Sequence, residues 1–184
     1  GKNPQLIMFN RVLARYTNSG DSKTTVKVST MHQWIYQWWR GSTILKKKRI
    51  PEIKIDKFNK RFDWKAIFQE IIQINDKKSL NELNWGHLLI DEGQDFEEDM
   101  YFALHNISGH FRSHGLECMI TVFADDNQRL QISQNSSISE ICEMFSIEDD
   151  DTLRKYSLTK NFRNTLETAI FAKHFQVNDH EVQQ

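Results

Sequence analysis

Residues 88–95 read Leu-Leu-Ile-Asp-Glu-Gly-Gln-Asp. An apolar run that stops on two adjacent carboxylates, with a Gln and a third carboxylate close behind, leaves few folds open. A strand this apolar needs cover on both faces, the situation of parallel sheets flanked by helices. Ending it in acids puts them at the C-terminal edge of the sheet, where open α/β folds bind ligands. The octet also reads as an ordinary strand end before a helix, since Asp95, Glu97 and Glu98 suit an N-cap and first turn.

Elsewhere strand-like and helix-like runs alternate. Residues 5–9 form a short apolar strand, and Asn10 can cap a helix over 11–16. Residues 25–28 read as a second strand and 31–39 as an aromatic helix. Residues 41–55 hold Gly, Pro and a Lys-Lys-Lys-Arg run, and read as a loop or small insertion. Phe58, Phe62, Ile67, Phe68, Ile71 and Ile72 have helical spacing, which predicts a helix over 58–74. A strand over 87–90, a helix over 96–111 stopped near Gly115, and a strand over 118–123 follow. Ser137 and Glu140 have capping-box spacing for a helix through Phe145, and Asn164 and Glu167 for one over 166–175. Residues 153–158 read as a strand. The alternation predicts a doubly wound, mainly parallel α/β sheet with its working edge at the strand C-termini.

The 184 residues suit one domain, or one with a small subdomain. A net charge of −1 gives no global pull onto nucleic acid, but the charge is unevenly placed. Arg40 to Lys65 holds ten Lys or Arg against three acids, and Glu140 to Asp151 holds six acids and no base. The basic stretch suits phosphate contact and equally suits a solvated helix face. Cys118 and Cys142 have no metal spacing and read as reduced core thiols of a cytoplasmic protein. No apolar run reaches membrane-spanning length, and no signal peptide is visible.

Paired acids at such an edge suit nucleotide hydrolysis. One carboxylate holds Mg²⁺, usually through water, and its neighbour orients or deprotonates the attacking water. Five segments then fall in order: LIMFNRVLA at 6–14, VSTMHQW at 28–34, LIDEGQDF at 89–96, VFADDNQRL at 122–130 and LTKNFRNT at 158–165. Together they resemble motifs Ia, Ib, II, III and IV of the superfamily 1 helicases of the UvrD/Rep type. The Asp-Glu-x-Gln-Asp form of motif II is the specific part, and the aromatic Ia and Ib matches are weak alone.

The resemblance implies a RecA-like P-loop NTPase domain, ATP and Mg²⁺ as ligands, and single-stranded DNA as partner. Asp91 would bind Mg²⁺ and Glu92 would be the catalytic base. Gln94 and Asp95, of the same motif, fall with the nucleotide site. Gln128 would sense the γ-phosphate, Arg163 would act as an arginine finger, and Phe162 would stack on adenine. Phe9, Asn10, Thr30 and His32 would line the DNA path. An arginine finger contributes on the order of 10³–10⁵ in rate, and stacking a base on an aromatic ring gives roughly 1–3 kcal/mol. Each residue also has an ordinary structural role open to it. Phe9 and Phe162 suit core positions, Arg163 suits pairing with the acidic segment near Asp149, and Gln128 suits a turn. Trp34, Trp38 and Trp39 fall at helical spacing and suit a core.

Three features depart from the pattern. No Gly-x-x-x-x-Gly-Lys-Thr/Ser string occurs in the sequence, and that string is what cradles phosphates in this family. Gly20 to Thr25 echoes it, but Asn18 and Ser22 stand where glycines belong. After motif III, Gln131-Ile-Ser-Gln134 replaces the aromatic residues of relatives. The segment between motifs Ib and II is short, and Lys46–Arg49 could serve in place of its DNA contacts.

The expected organisation follows the motifs. Residues 1–40 are the first part of RecA-like domain 1A, 41–84 a basic, helical insertion like a reduced 1B, 85–150 the second part of 1A, and 151–184 motif IV with the start of a second RecA-like domain. The chain is expected to be a piece of an ATP-dependent DNA helicase, inactive alone, whose parent has protein partners in DNA repair or defence. Two rivals stay open. One is a metal-dependent nuclease or phosphatase using Asp91, Glu92, Asp125 and Asp126 as a two-metal cluster. The other is a degenerate, non-enzymatic binding module.

Overall fold

The computed structural model describes residues 2–9, 14, 26–57, 59–129 and 135–158. Asn10, Phe162, Arg163 and the helices expected over 11–16 and 166–175 lie outside the described residues, except for the buried, helical Ala14.

Six strands and five α-helices are described: β1 (Gln5–Met8), β2 (Lys27–Thr30), α1 (Met31–Gly41), β3 (Glu52–Lys54), β4 (Lys60–Phe62), α2 (Trp64–Ile72), α3 (Lys77–Leu83), β5 (His87–Ile90), α4 (Glu98–Ser113), β6 (Met119–Val122) and α5 (Ile138–Met144). The protein is α/β. Four strands make one parallel sheet in the order β2-β1-β5-β6. The chain steps from β1 outward to β2, returns across β1 to β5, and goes on to β6. The order therefore reverses between β1 and β5, and at such a reversal the loops leaving the two strands diverge and open a crevice.

Register fixes which side chains share a face. Ile7 lies beside Ile90, Leu88 beside Ile120 and Ile90 beside Val122, and in-register neighbours of a parallel sheet point the same way. That face carries the main core, with Trp34, Ile35 and Trp39 of α1, Ile67 and Ile71 of α2, Leu80 and Leu83 of α3, and Leu104, Ile107 and Phe111 of α4. Met8 and Val28, on the other face, pack with Ala14 and Leu6.

The stretch between α1 and β5 is folded into this same core. Leu45, Phe62, Trp64 and Trp85 are all buried in it. β3 and β4 form an antiparallel hairpin. The expected helix over 58–74 begins only at Trp64, because residues 60–62 pair in the hairpin and the Asp63 side chain accepts a 2.9 Å hydrogen bond from Ala66 N–H. All four residues of the basic run, Lys46–Arg49, are exposed, with Lys48 paired to Glu70 of α2 at 2.6 Å, and Thr43 ahead of the run donates to Glu82 of α3. β2 extends to Thr30, which with Gln33 forms a capping box opening α1. The strand expected over 153–158 is absent. Residues 152–154 form a turn, and Leu158 is 89% exposed. No helix among the described residues is long and apolar enough to cross a membrane.

Candidate functional site at the strand C-termini

The sheet ladder runs one residue past β5, where Asp91 N–H donates to Ile7 O at 2.9 Å. This brings Asp91 beside the end of β1, at the reversal of strand order. Asp91 and Glu92 are both half-buried. Glu92 then takes a left-handed backbone, φ 52° and ψ 48°, a conformation that costs a non-glycine residue on the order of 1–3 kcal/mol. It persists because the next residues are held on several sides.

Gly93 is the tightest of these. Its N–H donates to Phe123 O at 2.7 Å, and its carbonyl accepts from the Tyr101 hydroxyl at 2.6 Å. A Cβ here would lie 2.3 Å from Val122 Cγ1, 3.0 Å from Tyr101 Oη and 3.2 Å from Phe123 O. Only glycine lets the acidic turn close onto the end of β6. Residues 93–95 form one turn of 3₁₀-helix, and α4 starts three residues later.

Gln94 is 1% exposed. Its Nε2 donates to Glu92 Oε2 at 2.7 Å, and its Oε1 accepts from Asp125 N–H at 3.0 Å. Asp125 in turn accepts from Gln128 Nε2 at 2.8 Å and from Asn127 N–H at 3.0 Å. Burial pushes the Asp125 carboxyl up, but the hydrogen bonds from Gln128 and Asn127 outweigh it and hold the group below its usual range. Gln128 itself is exposed. Asp126 accepts from Ile138 N–H at 2.9 Å, which ties this loop to α5. Asp95 is held above the ordinary carboxylate range by burial, then by the Glu92 charge.

Phe9, Thr30, His32 and Asp95 line one cleft of about 1030 Å³ between the sheet edge, the β3–β4 hairpin and the start of α4. Phe9 is 55% exposed and meets Phe96 edge-on at 5.6 Å. His32 is exposed and lies against Phe62 at 4.9 Å. The Thr30 hydroxyl is engaged as the α1 cap, accepting from Gln33 N–H at 3.3 Å. One wall carries Lys60 and Arg61, and the other Asp95, Glu97, Glu98 and Asp99. Arg61 and Glu97 bridge the walls at 2.8 Å.

Comparison with protein-family models, with curated proteins and with solved structures finds no match. The chemistry of the site therefore rests on its own geometry. The sequence-derived residues sort into two neighbouring groups. Asp91, Glu92, Gln94, Asp125 and Gln128 meet where β5 and β6 end, and Phe9, Thr30, His32 and Asp95 surround the cleft. Gly93 and Tyr101 escaped the sequence reading, and Glu97 was read there only as a candidate cap or first-turn residue, the place it takes at the start of α4. Of the first two, Gly93 alone had a signal, as a glycine set between acids.

Among the described residues, no three or more His, Cys, Asp or Glu side chains are placed to hold a metal ion. Asp125 and Asp126 are also engaged within their own loop and with α5. A carboxylate such as Asp91 suits Mg²⁺ in the mode where one or two protein oxygens, waters and substrate phosphates complete the shell.

Proposed function

We propose that this chain is part of a RecA-like motor domain of a superfamily 1 helicase of the UvrD/Rep type, which couples ATP hydrolysis to movement on single-stranded DNA. One observation carries the reading. Asp91 and Glu92 leave β5 at the reversal of strand order, beside the loop that presents Gln128. The order of the five motifs supports it further.

On this reading Asp91 holds Mg²⁺, which neutralises phosphate charge when bound. Glu92 accepts the proton of the attacking water on its carboxylate, and its left-handed backbone sets how that side chain leaves the turn. Gln128 reaches the γ-phosphate from the end of β6. Phe9 and His32 offer aromatic faces to nucleotide bases in the cleft. No Walker A string occurs in this sequence, so the reading requires a phosphate cradle that these residues do not provide.

Calorimetry with Mg-ATP tests this on the chain and on the full-length gene product. Binding by the full-length protein, with turnover abolished by Glu92→Gln, is the expected result. Binding by neither would leave a non-enzymatic module. Metal-dependent DNA cleavage without ATP would put the acids in a nuclease instead.

A further inference from the structure

We propose that Gln94 is a positioning residue, which aims the Glu92 carboxylate and ties it to the loop that carries Gln128. The inference rests on the reading of Glu92 as the base and goes beyond it, because it removes Gln94 from the ligand and gives it to the protein.

The geometry leaves Gln94 little else to do. The side chain is 1% exposed, so a nucleotide does not reach it. Both ends of its amide are engaged. Their orientation is also determined. A backbone N–H can only donate, so the atom facing Asp125 N–H is the carbonyl oxygen and the NH₂ faces Glu92. That NH₂ grips one carboxylate oxygen, Oε2, and on this proposal the other, Oε1, takes the proton.

The bond lies in series with others. Glu92, Gln94, Asp125 and Gln128 form one hydrogen-bonded path, with steps of 2.7, 3.0 and 2.8 Å. It joins the turn after β5 to the turn after β6 independently of the sheet ladder. The residue at one end is the proposed base and the residue at the other is the proposed phosphate sensor. A displacement of Gln128 by a ligand is thus felt by the carboxylate through two side chains and one backbone amide.

The test uses the full-length gene product. Gln94→Met keeps the volume and removes both hydrogen bonds. We expect kcat for ATP to fall about 10- to 100-fold, the usual cost of loosening a group that orients a reacting one, with KM within twofold of wild type. A rise in KM at unchanged kcat would make Gln94 a nucleotide contact and overturn the proposal. Loss of turnover in Glu92→Gln but not in Gln94→Met would also overturn it, leaving the reading of Glu92 intact. Survival of turnover in Glu92→Gln would remove that reading and this inference with it. A second measurement does not need the Gln94 variant to fold. In protein labelled at glutamine nitrogens, Glu92→Ala should speed hydrogen exchange of the Gln94 carboxamide at least tenfold while Asp125 N–H stays protected. Unchanged exchange would mean that the bond to Glu92 does not hold the side chain.

Discussion

The indole N–H of Trp64 donates a 2.8 Å hydrogen bond to the Glu97 carboxylate, and the other oxygen of that carboxylate takes Arg61 at 2.8 Å. Glu97 stands at the N-cap of α4 but makes no capping bond with its side chain. It instead fastens the hairpin and α2 to the helix that follows the acidic turn. Glu97→Ala is expected to destabilise the fold by about 1–2 kcal/mol, chiefly from the unpartnered indole. Hydrogen exchange should rise over residues 52–62 more than over 87–90. Uniform acceleration would mean that Glu97 holds the whole fold and not the hairpin.

Gly93→Ala tests the closure of the acidic turn. The added carbon meets Val122 Cγ1 at 2.3 Å, with the Phe123 carbonyl and the Tyr101 hydroxyl close behind. Overpacking of this kind costs roughly 1–3 kcal/mol. Urea denaturation should show the loss. A wild-type midpoint would show that the end of β6 yields without strain.

Tyr101→Phe removes the bond to the Gly93 carbonyl and nothing else of the ring. Tyr101 is fully buried, and burial pushes its hydroxyl far from ionisation. The bond is therefore insensitive to pH across the working range. The expected cost is about 1–2 kcal/mol at every pH from 5 to 9. A loss confined to alkaline pH would contradict a neutral, buried donor.

Two carboxylates at the site should move stability with opposite sign. Asp95 is raised in the folded state, by burial and then by Glu92. Its native form holds the proton more tightly, so stability falls as pH rises from its unfolded value, about 3.9, through the raised folded one. Asp95→Asn should then be more stable than wild type at pH 7 and gain little at pH 3. Asp125 is lowered in the folded state, because hydrogen bonds from Gln128 and Asn127 outweigh burial. Its contribution is present above the unfolded value and lost as pH falls through the folded one. Asp125→Asn should lose stability at pH 7, and less at pH 2. Denaturation midpoints across that range decide both.

Cys118 is buried, and burial pushes its thiol up to about 12. The thiolate is the reactive form. Disulfide reagents at pH 8 should label Cys118 only on unfolding. Rapid labelling of the native protein would show that the segment leading into β6 opens readily.

The sequence announced the parts of the fold that depend on local chemistry. Strand β5 was legible from Leu88 to Ile90 because a run so apolar has one stable setting. The α5 start was legible because Ser137 and Glu140 satisfy each other across one turn. The hairpin was not legible. Its strands are three residues each and largely exposed, and Phe62 fits a helical stripe equally well. What decides between them is Asp63, a cap whose meaning depends on where the helix starts. α3 went unread because its buried face is only Ser79, Leu80 and Leu83. Leu153 and Leu158 pattern like a strand but pair with no strand among the described residues, and Leu153 N–H is taken instead by the Asp151 carboxylate. At the site, the acids were visible as residue types. The role of Gln94 was not, since it depends on Asp125, 31 positions away.

The turn that bears Glu92 is gripped by β1 through Asp91, by β6 through Gly93 and by α4 through Tyr101. In mechanical terms it is an anvil. Any cycle that uses these carboxylates must find its stroke elsewhere, in the group brought to them or in the exposed loop that carries Gln128.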